Sequence, residues 1–190
     1  KSNISDSTLL YIAYGKNDYD LEDYTFVSEN LILEPKESGL YPNLTFQNCN
    51  FNLQNLTIEN LNFTINSSFT LTTNYAKFSN VILLLHSDLL IISANKIGII
   101  QLESITLDFQ SCSDCNINIS NFDQFIANNL IINLGIHKDS IFNMENVVNI
   151  TFSNSSFDQQ DISNFYLLDL DIQESDFHTL ITFENISLMN

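Results

Sequence analysis

Leu44-Thr-Phe-Gln-Asn-Cys-Asn-Phe51 and Leu56-Thr-Ile-Glu-Asn-Leu-Asn-Phe63 are two copies of one eight-residue pattern, and Ile150-Thr-Phe-Ser-Asn-Ser-Ser-Phe157 is a third. A fourth, Leu170-Asp-Ile-Gln-Glu-Ser-Asp-Phe177, carries Glu174 where the others have Asn. The mechanics follow from the residue types. Two apolar residues one position apart put both side chains on the same face of a short strand. The Asn after them tolerates the left-handed backbone that ends the strand, and the closing Phe returns to the core on the next side. A chain built of such units bends repeatedly around an apolar interior.

Working outward, an Asn followed by alternating apolar residues recurs with a period. Asn30-Leu-Ile-Leu33, Asn55-Leu-Thr-Ile58, Asn80-Val-Ile-Leu83, Ser104-Ile-Thr-Leu107, Asn129-Leu-Ile-Ile132, Asn149-Ile-Thr-Phe152 and Asp169-Leu-Asp-Ile172 begin 25, 25, 24, 25, 20 and 20 residues apart, and Asn190 falls 21 further on. A second apolar alternation follows most of these starts, as in Leu44-Thr-Phe46, Phe69-Thr-Leu71, Ile117-Asn-Ile119 and Ile181-Thr-Phe183. Each repeat therefore carries at least two short strands. A unit of that size buries its apolar face only by stacking on its neighbours, as in a coiled solenoid.

This pattern resembles the right-handed parallel β-helix, the pectin-lyase-like architecture of repeat proteins, in its non-catalytic secreted surface-protein form. The resemblance implies an all-β solenoid of about seven rungs of 20–25 residues spanning residues 30–190, on the order of 30 Å tall. It also implies turn ladders of identical residues: Asn30, Asn55 and Asn80 in one, Phe157 above Phe177 in another. Residues 1–29 form an acidic lead-in or first irregular rung. A leucine-rich repeat is the rival, since Leu53-x-x-Leu56-x-Ile58 matches its strand, but Asn60 is out of its register; a β-sandwich is a further all-β alternative. The last strand signal, Ile181-Thr-Phe-Glu-Asn-Ile-Ser-Leu188, has no polar capping segment after it. The solenoid is thus expected to continue or self-stack beyond Asn190.

Composition excludes several functions. The 190 residues carry 23 acidic and 6 basic side chains, a net charge of −17, with no arginine. Electrostatic capture of nucleic acid is excluded on that balance. Four alanines against many Ile and Phe favour strands over helices. The most apolar stretch, Val81–Ile100, contains His86, Asp88, Asn95 and Lys96 and reads as buried strands, not a membrane span. No basic-then-apolar leader opens the chain, so Lys1 reads as the start of a mature or excised segment.

Nine Asn-x-Ser/Thr acceptors occur, at Asn3, Asn43, Asn55, Asn62, Asn66, Asn118, Asn149, Asn154 and Asn185, about twice the number random placement predicts. In seven the middle residue is apolar: Ile4, Leu44, Leu56, Phe63, Ile119, Ile150 and Ile186. On a strand that residue points inward while the Asn and the hydroxyl point to solvent. Asn66 lacks the apolar middle residue, and Asn154 sits at a bend. The chain is expected to be extracellular or at the cell surface, with covalent N-linked glycans as partners.

Little else carries chemistry. Cys112 and Cys115 are spaced for a local disulfide, and no second pair exists to complete a zinc site. Cys49 lies three rungs away, about 14 Å, out of disulfide reach. His86, His137 and His178 fall on different rungs, so no metal is expected. Asn17-Asp-Tyr-Asp-Leu-Glu-Asp23 lacks the glycine and spacing of an EF-hand and reads as a solvated acidic loop. Asp169, Asp171, Glu174 and Asp176 form an acidic group with no pocket evident to separate their proton affinities. No catalytic residue and no cofactor is predicted. The leading expectation is a non-catalytic structural glycoprotein, a β-helical spacer, filament or surface-layer subunit. The alternatives are a carbohydrate-active enzyme of the pectin-lyase-like type and an adhesin that binds a partner along one sheet.

Overall fold

The computed structural model describes residues 2–5, 9–15, 17–67, 69–93, 98–109, 112, 114–134, 140–158, 166–171 and 179–189. Their regular structure is entirely β, twenty strands in one parallel, strongly curled sheet. Pairing organises them into three stacks. The first contains β1 (Ser2–Ser5), the start of β4 (Tyr24–Pro35), the start of β6 (Cys49–Glu59), β8 (Phe69–Thr72), β10 (Leu89–Ile92), β12 (Ile117–Ser120), β15 (Ser140–Glu145) and β18 (Tyr166–Asp171). In the second are β2 (Leu9–Tyr14), the ends of β4 and β6, the starts of β9 (Tyr75–Leu85) and β11 (Ile99–Asp108), β13 (Gln124–Asn128), β16 (Asn149–Ser153) and β19 (Leu180–Glu184). The third has β3 (Tyr19–Glu22), β5 (Asn43–Gln47), β7 (Asn62–Ile65), the ends of β9 and β11, β14 (Ile131–Asn133), β17 (Ser156–Asp158) and β20 (Ser187–Met189).

The sequence turns corners by a shift of parity. Along β9 the inward residues are Ala76 and Phe78, then Val81, Leu83 and Leu85. The even-to-odd change falls at Asn80, whose φ is 53°. In β11 it falls at Ser104, φ 56°, between Leu102 and Ile105. Left-handed backbone costs most residues about 1–2 kcal/mol, and Asn is among the few that visit it routinely. Accordingly Asn60, Asn80, Ser104, Asn129, Asn154 and Asn185 all have positive φ and mark the second-to-third corner. Asp23 and Asn48 do the same from the third stack to the first, and Asn121 and Asn146 from the first to the second. The bends read from the eight-residue pattern lie at Asn48, Asn60 and Asn154, with Phe51, Phe63 and Phe157 buried beyond them. Glu174 and Phe177 lie outside the described residues.

The finer register differs from the sequence reading. Asn30 and Asn55 do stack, but the level above Asn55 is Tyr75. Asn80 instead bonds Asn60 at the next corner. The seven starts therefore belong to different stacks: Asn30, Asn55 and Asn149 to the second, Asn80, Ser104 and Asn129 to a corner, Asp169 to the first. Phe157 registers with Leu188. Among the described residues each stack holds eight strands rather than seven, because residues before 30 supply β1, β2 and β3. Neighbouring levels are separated by 19 to 31 residues, a wider range than 20–25. The acidic run expected as a loop contains β3, since Tyr19 and Leu21 alternate with exposed Asp20 and Glu22 and pack on the core.

All three stacks send alternate residues into one core. Aromatic rings fill its first part, with Phe26 on Phe51 at 4.5 Å and Phe46 on Phe63 at 4.3 Å, and Phe125, Phe142 and Phe152 fill its later part. Between them Val, Leu and Ile leave a wholly apolar cavity of about 20 Å³, the size of a single water and of a kind that stays dry.

Candidate functional site

The outward faces carry the polar chemistry, organised as amide ladders. Asn55 donates Nδ2–H to Asn30 Oδ1 at 2.8 Å, and Asn62 to Asn43 at 2.8 Å. Asn43 in turn donates to Asp18 Oδ1 at 2.7 Å. Further ladders run from Asn80 to Asn60, Asn143 to Asn118, Asn146 to Asn121, Asn154 to Asn128 and Asn185 to Asn154, at 3.0–3.3 Å. Asn129 donates to Ser104 Oγ at 3.1 Å. In every one of these bonds the later level is the donor and the earlier the acceptor, so the amide dipoles align and polarise one another. A ladder with that polarity ends with an acceptor at its upper end. Asn62 Oδ1 and Asn146 Oδ1 are such buried ends, without a partner among the described residues, and the level above Asn62 offers only Ile82.

The predicted acceptors are distributed over these faces. Asn43, Asn55, Asn66, Asn154 and Asn185 are exposed, and Asn62, Asn118 and Asn149 half-buried; the side chain of Asn3 lies outside the described residues. Their middle residues Leu44, Leu56, Phe63, Ile119 and Ile150 are buried, while Ile186 is partly so. Six of the acceptors use one Nδ2–H in a hydrogen bond: Asn43, Asn55, Asn62, Asn154 and Asn185 in the ladders, and Asn149 on the Asp123 carbonyl at 3.4 Å. Asn66 and Asn118 have no such donor bond among the described residues.

Among the described residues, the concavities of the outer surface include two lined by carboxylates. One, on the first stack, has a volume of about 280 Å³ and is lined by Leu90, Asn118, Ser120, Asn143, Glu145, Asp169 and Asp171 among others. Register explains it: Leu90, Asn118, Asn143 and Asp169 occupy one column and Ser120, Glu145 and Asp171 the next. The sequence singled out Asp169 and Asp171; Glu145 joins them only through a register that the spacing did not reveal. Glu174 and Asp176 lie outside the described residues. The other, about 250 Å³, is on the third stack beside Asp20, Glu22, Thr45, Gln47 and Asn66.

Cys112 and Cys115 are joined, with Cα atoms 5.7 Å apart. Cys49 is free and buried, and its thiol donates to the Leu21 carbonyl. Burial pushes that thiol above its ordinary proton affinity, against hydrogen bonds from the Tyr24 and Gln47 backbone that pull it down. Tyr14, buried against Tyr19, is likewise raised, first by burial and then by the neighbouring Tyr19 and Cys49. His86 is exposed; His137 and His178 lie outside the described residues. Among the described residues no three His, Cys, Asp or Glu side chains group to hold a metal, and no helix is long and apolar enough to cross a membrane.

Among the described residues, the last strand of the second stack is exposed at the upper end. Ile150 and Phe152 are fully buried, whereas Ile181 and Phe183, directly above them, are 36% and 52% exposed, and Leu180 is 63% exposed. Phe183 stacks on Phe152 at 5.5 Å and presents its other face outward. No known protein family, curated protein or solved structure matches the chain.

Proposed function

We propose that the chain is a non-catalytic, extracellular or cell-surface structural glycoprotein, a rigid spacer or filament segment that presents N-glycans. The observation that carries this reading is the placement of the acceptors. None of the eight whose side chains are described is buried, and five place a fully buried apolar residue between the Asn and its hydroxyl partner. A glycan added there leaves the core untouched. The curled sheet is, in this reading, a right-handed parallel β-helix of the pectin-lyase-like kind, since crossovers between parallel strands are right-handed in about 98% of cases. Rigidity follows from stacking, in which each level is clamped by strand pairing and by its amide ladder.

The filament part rests on the upper end. Phe183 and Ile181 occupy the positions that are fully buried one level below, and a further level, supplied by continuing polypeptide or by the first level of a second copy, would bury them. Carboxylates stand at both ends, Asp18, Asp20 and Glu22 on the first level and Asp169, Asp171 and Glu184 on the last, so this association is weak at low salt and strengthens as salt screens the repulsion. The absence of arginine disfavours a cationic polysaccharide cleft. Electron microscopy of the chain secreted from a eukaryotic host tests the reading: elongated particles that join end to end support it, and isolated globular particles at all concentrations reject the filament role.

A further inference from the structure

Asn118 differs from the other acceptors in the way its amide is held. The Ser140 hydroxyl donates to Asn143 Oδ1, which turns Asn143 so that its Nδ2 donates to Asn118 Oδ1 at 3.0 Å. Asn118 is thereby fixed with its oxygen engaged by the level above. In the other ladders the next Nδ2 would donate to the level below. Here the register puts Leu90 on that level, which has no acceptor, and the ladder stops. Asn118 Nδ2 is left at a ladder end, on the rim of the 280 Å³ groove of the first stack.

The groove has the chemistry of a sugar seat. Glu145 and Asp169 offer carboxylate oxygens, which make the stronger, charge-assisted hydrogen bonds to hydroxyl and acetamido donors. Leu90 offers an apolar patch for an acetamido methyl or a sugar face. Three carboxylates exclude an anionic ligand and favour a neutral, hydroxyl-rich one.

We propose that Asn118 carries an N-glycan whose first sugars lie in this groove and brace β12, β15 and β18, a proposal that rests on the glycoprotein reading above. Attachment uses a lipid-diphosphate-linked oligosaccharide. The Asn118 Nδ2–H bond and the C1–O bond of the donor sugar break, Nδ2–C1 forms, and the lipid diphosphate and a proton leave. The amide retains one N–H, and its Oδ1 bond to Asn143 is unaffected. On Asn55, Asn62 and Asn185 the same addition crowds an amide already clamped to a level about 4.8 Å away.

The test uses the full chain secreted from a eukaryotic host, with glycopeptide mass spectrometry for occupancy and hydrogen exchange for the groove. Ser120→Ala removes the acceptor hydroxyl while keeping the Asn118 amide and its bond to Asn143; Thr57→Ala removes the Asn55 acceptor as a control. Asn118 is expected to be occupied, and Ser120→Ala to speed exchange of residues 140–145 and 166–171 severalfold, with no such change in Thr57→Ala. Because Ser120 itself lines the groove, the wild-type chain trimmed enzymatically to one sugar is compared with the fully deglycosylated chain, and exchange is expected to be slower in the former. An unmodified Asn118 beside occupied acceptors elsewhere overturns this proposal and leaves the glycoprotein reading standing. Occupancy of Asn118 with unchanged exchange overturns the seating, and no glycan at any acceptor overturns both.

Discussion

Replacing Asn80 by Gly and by Ala separates the two reasons an Asn occupies that corner. Asn80 is exposed, has φ 53°, and donates to Asn60 Oδ1 at 3.2 Å. Both substitutions lose that hydrogen bond, a net cost of about 0.5–1 kcal/mol at an exposed position. Gly adopts positive φ freely but adds about 0.5 kcal/mol of backbone entropy, so Asn80→Gly should cost about 1–1.5 kcal/mol. Ala must be held in left-handed backbone at about 1–2 kcal/mol, which brings Asn80→Ala to about 1.5–3 kcal/mol. The two variants should differ by about 0.5–1.5 kcal/mol, with Gly the more stable. Asn52 supplies the control, because it is exposed within β6 and lacks positive φ. There Ala should be the more stable by about 0.5–1 kcal/mol. Urea unfolding, read as midpoints at constant slope, measures all four variants. The same order at both positions, or Ala matching Gly at position 80, would refute the corner assignment.

Gly98→Ala should destabilise by about 1–3 kcal/mol, since an added Cβ lies 2.7 Å from both the Asn74 carbonyl oxygen and a Phe122 ring carbon; an unchanged urea midpoint would contradict that packing. Stability should fall at alkaline pH. Cys49 and Tyr14 are both held above their ordinary values by burial, so their contribution is full below the unfolded thiol value of about 8.5 and is lost as pH rises through the folded values. Cys49→Ala should postpone the decline to the tyrosine range near about 10, and identical pH profiles for variant and wild type would rule the thiol out. Phe183→Asp should abolish end-to-end association, while in the wild type sedimentation should show association growing with salt; association indifferent to position 183 would place the contact elsewhere.

The corner chemistry was legible because it is local. Asn48, Asn60 and Asn154 each follow an apolar-x-apolar strand and precede a Phe that re-enters the core, and all three have positive φ. What the local pattern could not reveal is which corner each Asn turns. Asn48 leads from the third stack to the first, and Asn60 and Asn154 from the second to the third, yet their surroundings in sequence are nearly the same. An even 25-residue spacing therefore put Asn80 above Asn55, when β7 and β8 had shortened the interval and brought Tyr75 there. The groove was hidden for the same reason. Glu145 meets Asp169 and Asp171 only once the register of β15 on β18 is known. The acidic run at residues 17–23 was misread because its charges are conspicuous, whereas Tyr19 and Leu21, alternating between them, decide its structure.

The reading as a glycan-presenting structural protein stands on the occupancy of its outward asparagines, which intact-mass analysis measures directly. The chain secreted from a eukaryotic host, weighed before and after glycosidase treatment, should exceed the bare 21.7 kDa polypeptide by several glycans and fall to near that value on treatment. A mass of 21.7 kDa before treatment would contradict the account.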